Sequence, residues 1–568
     1  MLNVEQMLQQ QAPQLDHKPR LKKITTWLLR QLLHEKDFMQ FAKTYPHLQG
    51  LDFVEQVLEY FQFQTTVREQ ELERIPSDGR VVIIANHPIG SLDGLALIKL
   101  ISEIRPDVKI VANQMLMTLP PLHSLLFPVD AMQGQTRREL LDNIAQHLQQ
   151  EGALIIFPAG EVSRLKPNGI RDGRWHHGFL RFATQAKAPV LPIHLQGRNS
   201  WQFYLASMLY KPLATMLLVR EMFRQRQKQL QIRIGELIPF ESFSSLALEP
   251  QARAKLFKKH LYRIGTDKAP LFKTQSGIAL PEDRKVLKKA VEACQLLGET
   301  ADNKQIYLYQ HQGSSPILRE IGRLREVAFR AVGEGSGKRR DIDPFDSWYQ
   351  HLILWDPKEL DIVGSYRFAD TAAVIAKHGQ AGLYCDALFQ MSSGMQPYLA
   401  AGLELGRSFV QPKYWGKRSL DYLWYGIGAY LKQRPDIRYL YGAVSLSNSY
   451  PQAARDLMVY FYNLYFQHPA SPAVSRHPYV LNEQLLPELR QQFCGNDYAA
   501  DFSQLKHLLA NMGLNIPTLY KQYSEICDAG GAYFLSFGLD PDFSDCMDGL
   551  VLVDITKIKA HKKQRYMG

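Results

Sequence analysis

Four runs of apolar residues constrain this chain most: "RVVIIAN" (80–86), "VKIVAN" (108–113), "GALIIFPAG" (152–160) and "APVLPIHLQ" (188–196). A strand that is apolar on both faces must be covered on both. That happens in sheets whose connections cross over as helices. Helical stretches do lie between these runs: "DGLALIKLISEI", "RRELLDNIAQHLQQ" and "HHGFLRFATQAK". A late strand, "QIRIGELIPF", closes the series. The reading is an α/β layered sheet.

At 568 residues the chain is too long for one ordinary core, so two domains are expected. Residues 1–75 read as helical, with "KPRLKKITTWLLRQLLHEKDFMQFA" carrying apolar residues at three- and four-residue steps beside a cationic flank, and this segment is a candidate membrane-associating element. Residues 76–265 hold the sheet. Residues 266–305, polar and containing Gly and Pro, are expected to be a linker. From 306 to 568 a second pattern runs: helix "ILREIGRLREVAFR", strands "HLILWD", "DIVGSYRFAD" and "LELGRSFVQP", helix "SLDYLWYGIGAYLKQ", strand "YLYGAVSLS" and helix "QAARDLMVYFYNLYF". It reads as a second domain, α+β or α/β, with a mainly antiparallel sheet. The halves share no internal repeat.

The formal net charge is +11. That excess suits an anionic partner. Zinc-finger spacing and RNP-like aromatics are both missing, so nucleic acid is not expected. The five cysteines are scattered and odd in number, which fits a reducing cytoplasm and argues against disulfides or a zinc site. The start shows no basic segment followed by an apolar one, so no secretory signal is expected. No stretch has the roughly 18–20 apolar residues of a spanning helix. The nearest, "WQFYLASMLYKPLATMLLVREMF" (201–223), is broken by Lys211 and Pro212 and followed by "RQRQKQ". It reads either as two buried helices or as an element lying in the headgroup region of a bilayer.

The first strand ends in "NHPIGSLDG" (86–94), which puts His87 at a strand terminus and Asp93 six residues on. Ligands bind at such termini in open α/β sheets. Histidine titrates near neutrality and can take a proton from a hydroxyl, while an aspartate fixes its tautomer. A substrate alcohol would then be the nucleophile, attacking an activated acyl group. The third run ends in "FPAGEVSR" (157–164), with an arginine suited to an anion.

These pieces resemble the glycerolipid acyltransferases that acylate glycerol-3-phosphate or lysophosphatidate. "NHPIGSLD" is similar to their histidine–aspartate motif, "FPAGEVSR" to their Phe-Pro-Glu-Gly motif and "VLPI" to their Val-Pro motif, over about 75–245. Two departures stand out: five residues rather than four separate His87 from Asp93, and alanine replaces the glutamate of Phe-Pro-Glu-Gly. The resemblance implies His87 as general base and Asp93 as its orienting partner. It also implies that Asn86, Gly160, Glu161, Ser163 and Arg164 help bind the acceptor.

In the second half, "LREVAFR" puts Arg325 and Phe329 on one helix face. "DIDPFD" supplies Asp341, Asp343 and Asp346, "VGSYRF" supplies Arg367, and "ELGRSFVQPKYWGK" supplies Glu404 and Arg407. Charges embedded in apolar strands are costly unless paired, so a shared polar network is expected. These pieces resemble the acetyltransferase-like (GNAT-like) N-acyltransferases that use acyl-carrier-protein thioesters, such as the ornithine-lipid first-step enzymes and, more distantly, the acyl-homoserine-lactone synthases. The resemblance implies Glu404 as base for the amine, with Arg325, Asp346, Arg367 and Arg407 shaping the pocket. It places the oxyanion donors on a bulged strand near Phe409 and Val410.

Together the halves resemble the bifunctional ornithine-lipid synthases. In that scheme the C-terminal half joins a 3-hydroxyacyl chain to the α-amine of an amino acid, ornithine first in expectation. The N-terminal half then esterifies the new hydroxyl. The resemblance implies acyl-carrier protein or CoA thioesters as co-substrate, no cofactor and no metal. It further implies a membrane surface as partner and a cytoplasmic, peripheral place on the inner face of the bacterial cytoplasmic membrane. Two rivals remain open: a lysophosphatidate acyltransferase with a regulatory C-terminal domain, and a non-enzymatic, hemolysin-like membrane-active protein.

Overall fold

Strand β2 (Val81–Ala85) has every residue buried, because it lies in the middle of a seven-stranded sheet. Its alternate side chains feed two cores. Val81, Ile83 and Ala85 join one apolar cluster, and Val82 and Ile84 join the other. Burying each of these valine and isoleucine side chains is worth about 1.5–3 kcal/mol. A computed structural model describes residues 19–32, 34–112, 119–128, 137–209 and 211–568. The part of the helical expectation that falls on 1–18 lies outside the described residues. The chain divides into two units, 1–279 and 280–568.

In the first unit, helices α1 (Pro19–Leu32), α2 (Glu35–Thr44) and α3 (Gly50–Tyr60) precede the short strand β1 (Gln64–Thr66). After β2 come α4 (Ser91–Ser102), β3 (Lys109–Ala112), β4 (Leu126–Pro128), α5 (Arg137–Gln149), β5 (Ala153–Ile156), α6 (Gly178–Ala186) and β6 (Val190–Gln196). The unit continues through α7 (Trp201–Leu209), α8 (Lys211–Arg224), β7 (Gln229–Ile234) and α9 (Pro250–Leu261). The sheet order is β1-β7-β6-β2-β5-β3-β4. The strands from β6 to β4 run parallel, and β7 runs against β6. Parallel neighbours end on the same edge. The segments that follow β2, β5 and β6 therefore emerge together, at the place where open α/β sheets bind ligands. The stretch 201–223 forms two helices, α7 and most of α8.

The second unit is an eight-stranded sheet. Its elements are α10 (Arg284–Glu292), β8 (Gln295–Glu299), β9 (Gln305–Gln310), α11 (Pro316–Ala331), β10 (Gln350–Asp356), β11 (Asp361–Asp370), α12 (Thr371–His378), β12 (Gly402–Val410), α13 (Ser419–Gln433), β13 (Tyr439–Leu446), α14 (Gln452–Phe466), β14 (Ala532–Asp540) and β15 (Cys546–Asp554). The order is β8-β9-β10-β11-β12-β13-β15-β14, antiparallel except for β12 beside β13. That parallel pair is matched only from Gly402↔Tyr439 to Glu404↔Tyr441. Beyond Glu404 the ladder between these two strands stops. α11 covers one face with Ile321, Leu324 and Phe329. α13 and α14 cover the other with Leu423, Trp424, Met458 and Phe461.

Residues 266–305 are not a bare linker. They hold α10, capped by the Asp283 carboxylate on the N–H groups of Lys285 and Val286, and the edge strand β8. β8 is largely exposed and so lacks the apolar signature of the inner strands.

Candidate active sites

His87 stands two residues past the end of β2. α4 begins at Ser91, behind Gly90, whose φ of 124° is open to glycine but strained for other residues. The Asp93 side chain turns back over this corner. Its Oδ2 accepts from the N–H groups of Ile89 (2.8 Å) and Gly90 (3.2 Å). Its Oδ1 stands 2.9 Å from His87 Nδ1, at hydrogen-bonding distance. The five-residue spacing therefore brings the pair together, with the extra residue taken up by the Gly90 corner. With Nδ1 turned toward this carboxylate, Nε2 is the nitrogen left to take a proton. One face of the ring stacks on Phe157 at 4.3 Å. Burial favours the neutral imidazole. The Asp93 charge, its hydrogen bond and the charge of Asp172 outweigh it and hold His87 above its ordinary value.

Asp172 escaped the sequence reading. It is fully buried. Its Oδ1 accepts from the backbone N–H of His87 (3.2 Å) and from the Ser163 hydroxyl, and its Oδ2 from Trp175 Nε1 (2.8 Å). Ser163 N–H in turn donates to the His87 carbonyl at 2.7 Å. The loop after β5 is thus tied to the histidine corner through one carboxylate. Burial pushes the Asp172 carboxyl up, against the pull of these bonds. Within "NGIRDGRW" only the tryptophan three residues on separates this aspartate from a surface one.

The expected acceptor residues divide. Ser163 braces the histidine loop. Gly160, at φ 63°, makes the turn after β5. Arg164 donates to Ser207 Oγ (2.7 Å), lies over the Phe203 ring (5.3 Å) and stands 3.8 Å from Glu161. Asn86 does not face the site. Its Nδ2 donates to the Leu195 carbonyl (2.9 Å) and its Oδ1 accepts from the Leu195 N–H (2.8 Å), so its amide joins β2 to β6. An amide at a strand end finds its nearest partners on the neighbouring strand.

In the second unit the expected polar network is present. Arg325, wholly buried on α11, donates through Nη1 to Asp346 Oδ1 at 2.8 Å. Arg367 on β11 donates to the same oxygen at 3.1 Å and to Asp343 Oδ1. Burial would raise the Asp346 carboxyl, but the two guanidinium charges hold it far below the usual carboxylate range. His351 Nδ1 lies 3.3 Å from Arg325 Nη2. Burial first, then that cation, pulls its imidazole down to about 3, so it is neutral.

Glu404, on β12 at the last matched pair of the parallel ladder, is 1% exposed. Its Oε2 accepts from the Tyr349 hydroxyl and its Oε1 from the Cys385 N–H, both at 2.7 Å. Burial raises its pKa. Three residues on, β12 bulges: Ser365 pairs with Phe409 but Arg367 with Gly406. Arg407 sits in the bulge at φ 48°, which turns its guanidinium toward Asp341 (3.5 Å), Asp343 (3.6 Å) and the faces of Tyr384 and Phe543. Nε and Nη2 of Arg367 are buried without a hydrogen-bond partner among the described residues. Tyr349 and Tyr384 complete the surroundings of these groups, and sequence reasoning gave neither a role in the site, whereas Asp343 belongs to the network expected from "DIDPFD". A buried acidic group also lies in this unit: Asp540, Asp548 and Glu334, the last accepting from Ser445 Oγ at 2.7 Å.

Compared with protein-family models, residues 6–263 match one described as "Acyltransferase", and residues 324–425 match one described as "Acetyltransferase (GNAT) domain". Among curated proteins, a "Glycine N(alpha)-acyltransferase" of Bacteroides thetaiotaomicron is 32% identical over 303 residues, 51% of this chain and 89% of that protein. A "Lyso-glycine lipid O-acyltransferase" of the same organism is 29% identical over 272 residues, 46% of this chain and 97% of that protein. An "L-ornithine N(alpha)-acyltransferase" of Brucella abortus is 31% identical over 176 residues, 26% of this chain and 61% of that protein.

Proposed function

The chain belongs to the bifunctional aminolipid synthases, acyltransferases that join an acyltransferase domain to an acetyltransferase-type domain, and we propose that its two units acylate one amino-acid lipid in succession. The observation that carries this reading is that an N-acyltransferase and an O-acyltransferase each match about half of this one chain.

The second unit takes the first step. The α-ammonium of an amino acid loses a proton to Glu404, a base strengthened by its burial. The freed amine attacks the carbonyl of a 3-hydroxyacyl thioester. A C–N bond forms, the C–S bond breaks, and the thiolate leaves with a proton. The unpartnered nitrogens of Arg367 support a place for the amino acid's carboxylate. The greater coverage of the relatives named for glycine supports glycine as the amine. Ornithine is the second reading, favoured by the relatives named for it. An acidic acyl-carrier protein as donor suits the positive chain.

The first unit takes the second step. His87 Nε2 removes the proton from the 3-hydroxyl of the N-acylated product while Asp93 holds the ring. The hydroxyl oxygen attacks a second acyl thioester, a C–O bond replaces the C–S bond, and the imidazolium returns its proton to the departing thiolate. A lyso-aminolipid carries no phosphate, which is consistent with the altered "FPAGEVSR" loop.

The test is expression in a bacterium lacking aminolipids, followed by lipid extraction and mass spectrometry. The expected result is a phosphate-free lipid whose mass gives one amino acid and two acyl chains, with glycine or ornithine read from the fragment. Soluble, folded protein with an unchanged lipid profile, or with new phosphatidate alone, would overturn the reading.

A further inference from the structure

Helix α7 is only nine residues long, yet Trp201 (71% exposed), Leu205 (50%), Met208 (65%) and Leu209 (79%) all face solvent. Their spacing of four, three and one puts them on one stripe. The opposite side of α7 is well packed: Phe203 and Tyr204 are buried, and Ser207 holds Arg164. Isolated exposed apolar residues are ordinary on a soluble surface, but a contiguous stripe of four marks an interaction site. Trp27 on α1, which packs against α8, is 62% exposed as well.

The charges around the stripe name the occupant. From 198 to 228 the sequence has six basic residues and a single acid, Glu221. Arg198, Arg220, Arg226 and Lys228 are exposed, whereas Glu221 is buried and bonded to Ser200 and Arg224. An aromatic and aliphatic stripe in a basic surround matches the headgroup region of an anionic bilayer. Among the described residues no helix is long and apolar enough to cross a membrane.

The stripe also adjoins the first-unit site. Arg164 of the acceptor loop bonds to α7, Asn199 donates to the carbonyls of Pro88 and Ile89 beside His87, and Leu218 of α8 lies 3.7 Å from where a Cβ on Gly90 would stand. We propose that the outer face of α7, with its basic surround, docks the first unit on an anionic lipid surface and so sets the His87 corner at the level where a lyso-lipid is presented. The inference rests on the lipid acceptor argued above, but it is tested by binding rather than turnover.

The purified full chain is sedimented with vesicles of phosphatidylglycerol and phosphatidylethanolamine, and with vesicles of phosphatidylcholine. The wild type is expected to bind the anionic vesicles, to release as salt rises and to show a blue-shifted tryptophan emission. That shift shrinks in Trp201→Phe. The combined variant Trp201→Ser, Leu205→Ser, Met208→Ser and Leu209→Ser, all exposed positions, should keep its circular dichroism and melting temperature and bind at least tenfold more weakly. Vesicle binding unchanged in that variant would overturn the proposal. So would a wild-type dimer that becomes monomeric in the variant while vesicle binding persists, since the stripe would then be covered by a second copy. Wild-type protein that binds the anionic vesicles but forms no diacylated lipid would count against the proposed reaction and leave the docking surface standing.

Discussion

At the residue scale, the proposed O-acylation depends on one imidazole kept basic against its burial. The neutral form of His87 must accept the proton, so O-acylation should rise with pH along a limb set by a pKa above the ordinary 6.5. In Asp93→Asn the larger raising charge is gone, and burial is opposed only by the weaker pull of Asp172. The limb should move to lower pH while the maximal rate falls about 10²- to 10⁴-fold. A pH–rate profile of the two proteins on a lyso-aminolipid checks both signs. Asp172→Asn should act through position. It weakens the grip on the His87 and Ser163 backbone, so kcat should fall well beyond any change in KM, and the acid limb should shift down in the same direction as in Asp93→Asn. A merely structural aspartate would lower the melting temperature and leave that limb in place.

At the element scale, what the sequence disclosed and what it hid have separate causes. The inner strands were legible because burial on both faces leaves them without polar residues. β11, α13 and α14 fall on the stretches read for them. β8 and α10 were hidden because an edge strand and a surface helix are mostly wetted and share the composition of a loop. The site followed the same division. His87 and Asp93 were visible as a motif at the end of an apolar strand, and Glu404 and the buried arginines as charges set in apolar runs. Asp172, Tyr349 and Tyr384 were not, since each reaches its place through tertiary contact from a polar or aromatic-rich segment. The carboxylates of β14, β15 and the loop after α11 make a further prediction. Burial pushes Glu334 up to about 7 and also raises Asp540 and Asp548. A carboxyl raised in the folded state stabilises it fully below about pH 4.5 and loses that contribution as pH climbs through 7. Glu334→Gln should therefore raise the melting temperature of the second unit at pH 8.5, by up to roughly 3 kcal/mol in stability, and change it little at pH 5. Calorimetry of the two proteins at both pH values decides it, and an equal shift at both would contradict the burial argument.

At the scale of the whole molecule, each unit carries its own apolar clusters: two large ones lie in residues 19–279 and three in residues 280–568. Cores of that kind support independent folding. Residues 1–279 and 280–568 expressed as separate chains should each fold, the first retaining O-acylation of a supplied lyso-lipid and the second retaining N-acylation. Insolubility of both halves would argue against that autonomy. The central claim is that one chain makes the lyso-lipid in its second unit and consumes it in its first. Mass spectrometry of lipids from cells expressing His87→Ala tests it most directly. The account predicts that the mono-acylated N-acyl amino acid accumulates and the diacylated lipid disappears, while Glu404→Ala yields neither. A full level of diacylated lipid in His87→Ala cells, or its persistence in Glu404→Ala cells, would contradict it.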